Sequence, residues 1–376
     1  MERIYLDHAA TTPIDPAVAE VMLQMMQDYP GNPSSIHQEG RSARARIEQA
    51  RKDIAGLLNA SIGEIFFTSC GTESNNMALK CSVRDLGVRR IVSTRTEHHA
   101  VLHCLHRLAK EEVEIVYLDQ QEDGHINVQQ LADVLSEEGA PKTMVSLMHV
   151  NNEIGTLLPL QEVAELCAEK EVLFHSDTVQ TMGYYPLDVD KTPISFLTGS
   201  AHKFYGPKGI GFIYINSDNI IEPFVDGGAQ ERNMRGGTEN LYGIVGMAEA
   251  LKRKWSRMDD DRMHIQELKT YLAEQLQAHI PDMAFNGDPF GAGHYKILSA
   301  SFPVSPKAEM LLLNFDIAGI SVSGGSACSS GADAGSHVLD ALKEGDPRTT
   351  IRFSFSHHNT REEIDRVVEE TKKILG

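Results

Sequence analysis

Residues 198–211 read TGSAHKFYGPKGIG, and an apolar run lies on either side: ISFLT (194–198) leads in and GFIYI (211–215) leads out. The stretch places Ser200, His202 and Lys203 where a strand meets a loop punctuated by Gly206, Pro207 and Gly209. A lysine in a crowded, partly desolvated position can be neutral and attack an aldehyde, which suits covalent attachment of pyridoxal 5'-phosphate (PLP). An arbitrary SxHK string in a surface loop would carry no such meaning. Asp177 changes the balance, because it closes the apolar run VLFHSD (172–177) one strand earlier. In a parallel sheet the two residues converge at the carboxyl edge, the aspartate toward a pyridine nitrogen and the lysine toward the aldehyde.

Upstream, the strand-like EIFFTS (64–69) runs into Gly71-Thr72-Glu73-Ser74, where a helical pattern begins. Thr72 at a helix N-terminus is a candidate phosphate contact. Strand and helix patterns then alternate through RRIVSTR, HHAVLHCLHRLAK, VEIVYLD, VQQLADVLSEE, TMVSLMHV, LQEVAELCAEK and VLFHSD. Such βαβ units predict an α/β fold with a mostly parallel sheet. N-terminal to them, YLDHAATTPIDP reads as an extended arm and turn, followed by helices over 16–28 and 41–58. A helical stretch near 239–278 predicts a bridge to a smaller α+β unit built from KILSASFPV, a helix near 306–315, ISVS, TIRFSFS and a last helix over 360–375. The expected division is a large unit, 16–255, and a small unit of 1–15 with 256–376.

The chain has 376 residues, 41% of them hydrophobic, and a formal charge of −18. That charge argues against nonspecific binding to nucleic acid or anionic membrane. No apolar run reaches the ~18 residues of a membrane span, and no secretory leader pattern is read at the N-terminus, so a soluble cytoplasmic protein is expected. Five cysteines, at 70, 81, 104, 167 and 328, with no CxxC, argue against a disulfide framework or zinc knuckle. Cys328 stands apart. It lies in SVSGGSACSSGADAGSHV (321–338), a tract with almost no large apolar side chains, and is the candidate nucleophile. Cys167, Cys81 and Cys104 fit small buried packing residues, and Cys70 fits a small residue packed under a cofactor. His99, His103 and His106 share a helix face without a completing carboxylate, so no metal site is assigned.

His98 follows the strand end STRTE (93–97), at the edge expected for Asp177 and Lys203, and could stack on a pyridine ring; a helix-start histidine in solvent is the plain alternative. Arg352, inside the apolar TIRFSFS, needs a carboxylate partner, either the substrate's or a structural Asp or Glu. Asn152 closes another strand at the same edge. Thr238, in RGGTEN, is expected to begin a helix after two glycines and to offer a second anion-binding terminus.

Taken together, YLDHAATTP, GNPSS, GTESNN, TEHHAV, HVNNEIG, HSDTVQ, SAHKFYGPKG, RGGTEN, GSACSS and IRFSFS make the chain resemble, nearly end to end, a cysteine desulfurase of the class V aminotransferase group, fold-type I PLP enzymes. The resemblance implies that Lys203 carries PLP and that Asp177 partners the pyridinium nitrogen. It implies Gln180 on the ring hydroxyl, His98 stacked on the ring, and Thr72, Ser200 and His202 on the phosphate, joined by Thr238 from the other subunit of a homodimer. Arg352 and Asn152 would bind the carboxylate of L-cysteine. Cys328 would receive its sulfur as a persulfide, with His98 carrying a proton and alanine leaving. A selenocysteine lyase or an aminotransferase on the same fold is the alternative activity. The sequence departs from members that feed the iron–sulfur scaffold, which commonly have a further C-terminal segment where this one reads ILG. A tRNA-thiolation enzyme therefore stands beside the scaffold as a candidate sulfur acceptor.

Overall fold

The structure is a computed structural model, and it describes residues 3–324 and 335–376. In chain order its strands are β1 (Ile4–Tyr5), β2 (Ile65–Thr68), β3 (Arg90–Ser93), β4 (Glu114–Tyr117), β5 (Thr143–Ser146), β6 (Leu173–Asp177), β7 (Phe196–Ser200), β8 (Gly211–Ile215), β9 (Ala284–Asn286), β10 (Ile297–Phe302), β11 (Ile320–Ser321) and β12 (Thr349–Ser354). Seven of them form one sheet in the order β2-β8-β7-β6-β5-β3-β4. Its pairings are parallel except those of β8, which runs antiparallel to both β7 and β2. β3, β5 and β7 are buried along their whole length, and β6 along all but its first residue, as expected for strands covered by helices on both faces. This is the α/β arrangement expected from the sequence. The antiparallel β8 folds residues 201–210 into the connection of a hairpin, so the Lys203 segment is held between two paired strands. No side chain fits at Gly199, where a Cβ would come within 2.3 Å of the Phe212 ring.

β12, β10 and β9 form an antiparallel sheet, and β1 pairs in parallel with β11. The N-terminal arm joins these to the large sheet. His8 N–H donates to Ser354 O and Ser354 N–H to Leu6 O, while Thr12 N–H donates to His202 O. No helix is long and apolar enough, among the described residues, to cross a membrane.

Helix boundaries differ from expectation in places where caps compete. The second helix starts at Gln38, not 41, with His37 capping Gly40. The stretch 239–278 is two helices, Leu241–Ser256 and Met258–His279; Asp259, Asp260 and Asp261 complement the N-terminal dipole of the second. Thr238 does not begin a helix. Asn240 caps the first of these helices by accepting from Gly243 N–H, and the buried Leu241 and Ile244 fix where it meets the core.

The edge strand β2 is sealed by side chains. Phe67 N–H donates to Glu231 Oε2, and Arg51 Nη1 donates to Ile65 O. Arg51 and Glu231 form a buried bidentate pair at 2.7 and 2.8 Å. Glu231 is the first of three consecutive left-handed residues, with φ 45° at Glu231, 57° at Arg232 and 66° at Asn233. Glu231→Ala would leave the buried Arg51 guanidinium with only Ile65 O and a partly exposed Glu48 at 3.4 Å, and would release that segment. Removal of one partner of a buried pair costs about 3–5 kcal/mol. An unfolding free energy lowered by that amount in denaturant titration is expected; a loss under about 1 kcal/mol would contradict it.

Candidate active site

The carboxyl ends of β3, β5, β6 and β7 open onto one cavity of about 290 Å³. It is lined by Thr72, His98, Asn152, Asp177, Gln180, Ser200, His202, Lys203 and Arg352, together with Cys70, Gly71, Asn75 and the backbone of Ala9 and Ala10. Nine candidates scattered over 280 residues of sequence thus meet at one sheet edge. Of the other two candidates, one is placed elsewhere in this single chain and one is not described. Thr238 lines a separate cavity with Ser69, Gly209 and Arg235. Cys328 lies outside the described residues, but its flanks do not: Ser323 Oγ donates to Asp7 Oδ1 beside Arg352, and His337 Nε2 bonds Glu97 O beside His98.

Lys203 Nζ donates to Ala9 O at 2.7 Å and Ala10 O at 2.9 Å. The arm therefore supplies small residues whose carbonyls reach the amine. Asp177 is nearly buried and doubly held, with Oδ2 accepting from Asn75 Nδ2 at 2.6 Å and Oδ1 from Val179 N–H at 3.0 Å. Behind it, Asn75 Oδ1 lies 3.1 Å from His175 Nε2, and His175 Nδ1 lies 2.9 Å from Ser146 Oγ. This Ser146–His175–Asn75–Asp177 chain orients the carboxylate, and the sequence reading missed it. The signals were present: Asn75 falls one helical turn after Gly71, and His175 shares a strand face with Asp177.

His98 caps the helix His99–Ala109, its Nδ1 accepting from Ala100 N–H at 3.1 Å. That assigns the proton of the neutral ring to Nε2. Burial holds the pKa of His98 below the ordinary histidine value. Burial and then Lys203 push His202 down to about 4, and its Nδ1 lies 3.2 Å from Thr11 Oγ1. Arg352 has the structural partner that the sequence left as one option: Nη2 meets Asp7 at 3.0 Å and Nη1 donates to Asn152 O at 2.8 Å. Its Nε is buried without a partner among the described residues.

Cys81, Cys104 and Cys167 are buried, and burial pushes their thiols up to about 12, 11 and 12. They are packing residues. His99 packs against His337, ring centres 4.2 Å apart and planes tilted by 36°, and the described residues contain no cluster of three or more His, Cys, Asp or Glu side chains placed to hold a metal.

Two features test whether PLP suits this cavity. Gln180 is buried with Nε2 on Ala9 O, and its Oε1 has no donor among the described residues. Gly71 opens the helix Gly71–Arg84 so closely against Val179 that a Cβ would lie 2.7 Å from its methyl, which leaves bare backbone at the helix N-terminus beside Ser200. A ring hydroxyl and a phosphate fit these two places.

Burial also pushes His8 and His149 down to about 3 and His175 to about 4. They are neutral when folded and titrate near 6.5 when unfolded, so the unfolded chain binds more protons below that pH. Their stabilisation is complete above pH ~6.5 and falls by about 1.4 kcal/mol per pH unit for each, down to the folded values. Glu97, whose pKa burial raises, acts in the opposite sense. Stability measured by denaturant is expected to fall steeply from pH 7 to pH 5; a flat profile would contradict this.

The aminotransferase class-V family model matches residues 4–367. A cysteine desulfurase IscS from Dictyoglomus turgidum is 40% identical over 376 residues, covering 99% of this chain and 94% of that protein. A solved NifS-like protein superposes with a TM-score of 0.91 at 34% identity, covering 99% of both chains. A structure described as SspA in complex with cysteine superposes at 0.80 with 30% identity, over 95% of this chain and all of that one. The chain belongs to the class-V aminotransferase family and, within it, to the cysteine desulfurases.

Proposed function

We infer that this cavity holds PLP and removes sulfur from L-cysteine, releasing L-alanine and leaving the sulfur on Cys328. The observation that carries the reading is the meeting of Lys203 and the rigidly held Asp177 at one edge, with the Gly71–Thr72 helix terminus in the same cavity. PLP, when bound, supplies an electron sink conjugated to the substrate's Cα.

The protein's part follows from its own groups. Lys203 would hold the cofactor through its amine and is placed to move the proton at the substrate's Cα. Asp177 keeps the ring nitrogen protonated, and Gln180 meets the ring hydroxyl. His98 would face the ring and could carry a proton on Nε2. Thr72, Ser200 and His202 hold the phosphate, joined by Thr238 of a second copy in a homodimer. Arg352 and Asn152 orient the substrate carboxylate. The Cys328 thiolate takes the sulfur as a persulfide for an acceptor protein, either an iron–sulfur scaffold or a tRNA-thiolation enzyme. The division into units 16–255 and 1–15 with 256–376 is supported by the segregation of the two larger sheets, residues 65–215 and 284–354. The free thiols at 70, 81, 104 and 167 are compatible with a reducing cytoplasm.

Mass spectrometry after a short incubation with L-cysteine, with alanine assayed in parallel, tests the reading. One added sulfur mapped to Cys328, with alanine, is the expected result. Alanine without sulfur on Cys328 would make the activity lyase-like. Neither product, with amino-group transfer to a keto acid, would make it a transaminase.

A further inference from the structure

Directly beneath Lys203 lies an amine that the mechanism above does not use. Lys296, the residue before β10, is fully buried. Its Nζ donates to Tyr184 Oη at 2.9 Å and lies 3.5 Å from Lys203 O. Tyr184 Oη in turn donates to Lys203 O at 2.9 Å. The backbone of Lys296 is tied to the small antiparallel sheet, since Phe355 N–H donates to its carbonyl at 2.9 Å.

Lys254, on the same tyrosine, is an instructive contrast. Its Nζ is 4.5 Å from the Tyr184 ring centre, but it is paired with Asp261 at 2.7 Å, and that ion pair accounts for its burial. The hydrogen bonds of Lys296 go to a hydroxyl and a carbonyl, and among the described residues no carboxylate forms an ion pair with it. A methionine would fill the same space without the desolvation cost of an amine. What the amine adds is a contact to the backbone of the reactive residue. Burial, and then Lys203, hold its pKa well below the ordinary lysine value.

The carbonyl it reaches is a point of backbone tension. Two residues on, Tyr205 adopts φ 66°, a left-handed conformation disfavoured for a bulky aromatic. Thr12 fastens the segment from the other side, with Thr12 Oγ1 on His202 O at 3.0 Å and Tyr205 N–H on Thr12 Oγ1 at 2.7 Å.

We propose that Lys296 is a positioning residue for Lys203: with Tyr184 it clamps the lysine's own carbonyl and fixes the root of the side chain that bears the reactive amine. The inference rests on Lys203 being the cofactor-bearing residue. Its test uses PLP-loaded wild type, Lys296→Met, Tyr184→Phe and the double variant. Loss of one hydrogen bond of about 1–1.5 kcal/mol corresponds to a fall in kcat of roughly 10-fold. KM for L-cysteine is expected to change less than about 2-fold, since substrate contacts are untouched. The double variant should be no worse than the more impaired single one, because both substitutions break one chain.

Visible circular dichroism of the bound cofactor should change alike in both single variants, a readout that a global loss of stability does not imitate. Unchanged kcat and dichroism, or effects that multiply in the double variant, would overturn the clamp. Should Lys296→Met not fold, Tyr184→Phe, which keeps the ring, decides by the same two measures. Wild type that binds PLP but yields no alanine would overturn the desulfurase reading alone, because the dichroism comparison still reports on the clamp.

Discussion

Lys203→Ala should leave the sheets intact and lower alanine formation by roughly 10³-fold or more, the combined loss of covalent attachment and of a positioned base. The structural part of the effect is smaller. Its amine donates to Ala9 O and Ala10 O, so the substitution leaves two carbonyls short of a donor. A cost of about 1–3 kcal/mol is expected in denaturant unfolding. The decisive measurement is the absorbance retained after gel filtration of PLP-reconstituted protein, read with turnover. Wild type should keep its cofactor band and the variant should lose it. Retention of more than a tenth of wild-type turnover would remove Lys203 from the role assigned to it.

Cys328→Ala should do the reverse. Cofactor absorbance and melting behaviour should match wild type, while sulfur on the protein and alanine release both disappear. The other cysteines make the experiment clean. Cys81, Cys104 and Cys167 are buried with raised pKa values and cannot substitute as nucleophiles. Cys70 does border the cavity. Cys70→Ala is therefore the control, expected to keep sulfur transfer within a few-fold. If Cys328→Ala still releases alanine and Cys70→Ala does not, the nucleophile has been misassigned.

The residues at strand ends were legible because alternation of strands and helices places them at one edge whatever the rest of the chain does. Lys203, Asp177, His98 and Asn152 are of this kind. The residues that hold them were less so. Ala9 and Ala10 reach Lys203 across nearly 200 positions, and no local pattern marks a carbonyl as a ligand for an amine. The Arg51–Glu231 pair that seals β2 spans 180 positions and lies in a segment whose left-handed backbone no propensity would suggest. Thr238 shows the other kind of failure. The sequence reading started the helix at Thr238; the structure caps it at Asn240, where burial of Leu241 and Ile244 fixes its start, a tertiary effect. Arg352 was left between a substrate and a structural carboxylate. Asp7 supplies the second, and the orphaned Nε leaves room for the first.

The N-terminal arm is fastened at both ends. Between Ile4 and Thr12 it pairs with Ile320 and Ser321, bonds Ser354, salt-bridges Arg352 through Asp7, accepts from Lys203 and Gln180, and donates to His202. Such a thread couples cooperativity to chemistry. Melting of the small antiparallel sheet would pull Asp7 from Arg352 and the alanine carbonyls from Lys203 in the same event. Heating is then expected to open the cofactor pocket in the same step that melts the small antiparallel sheet.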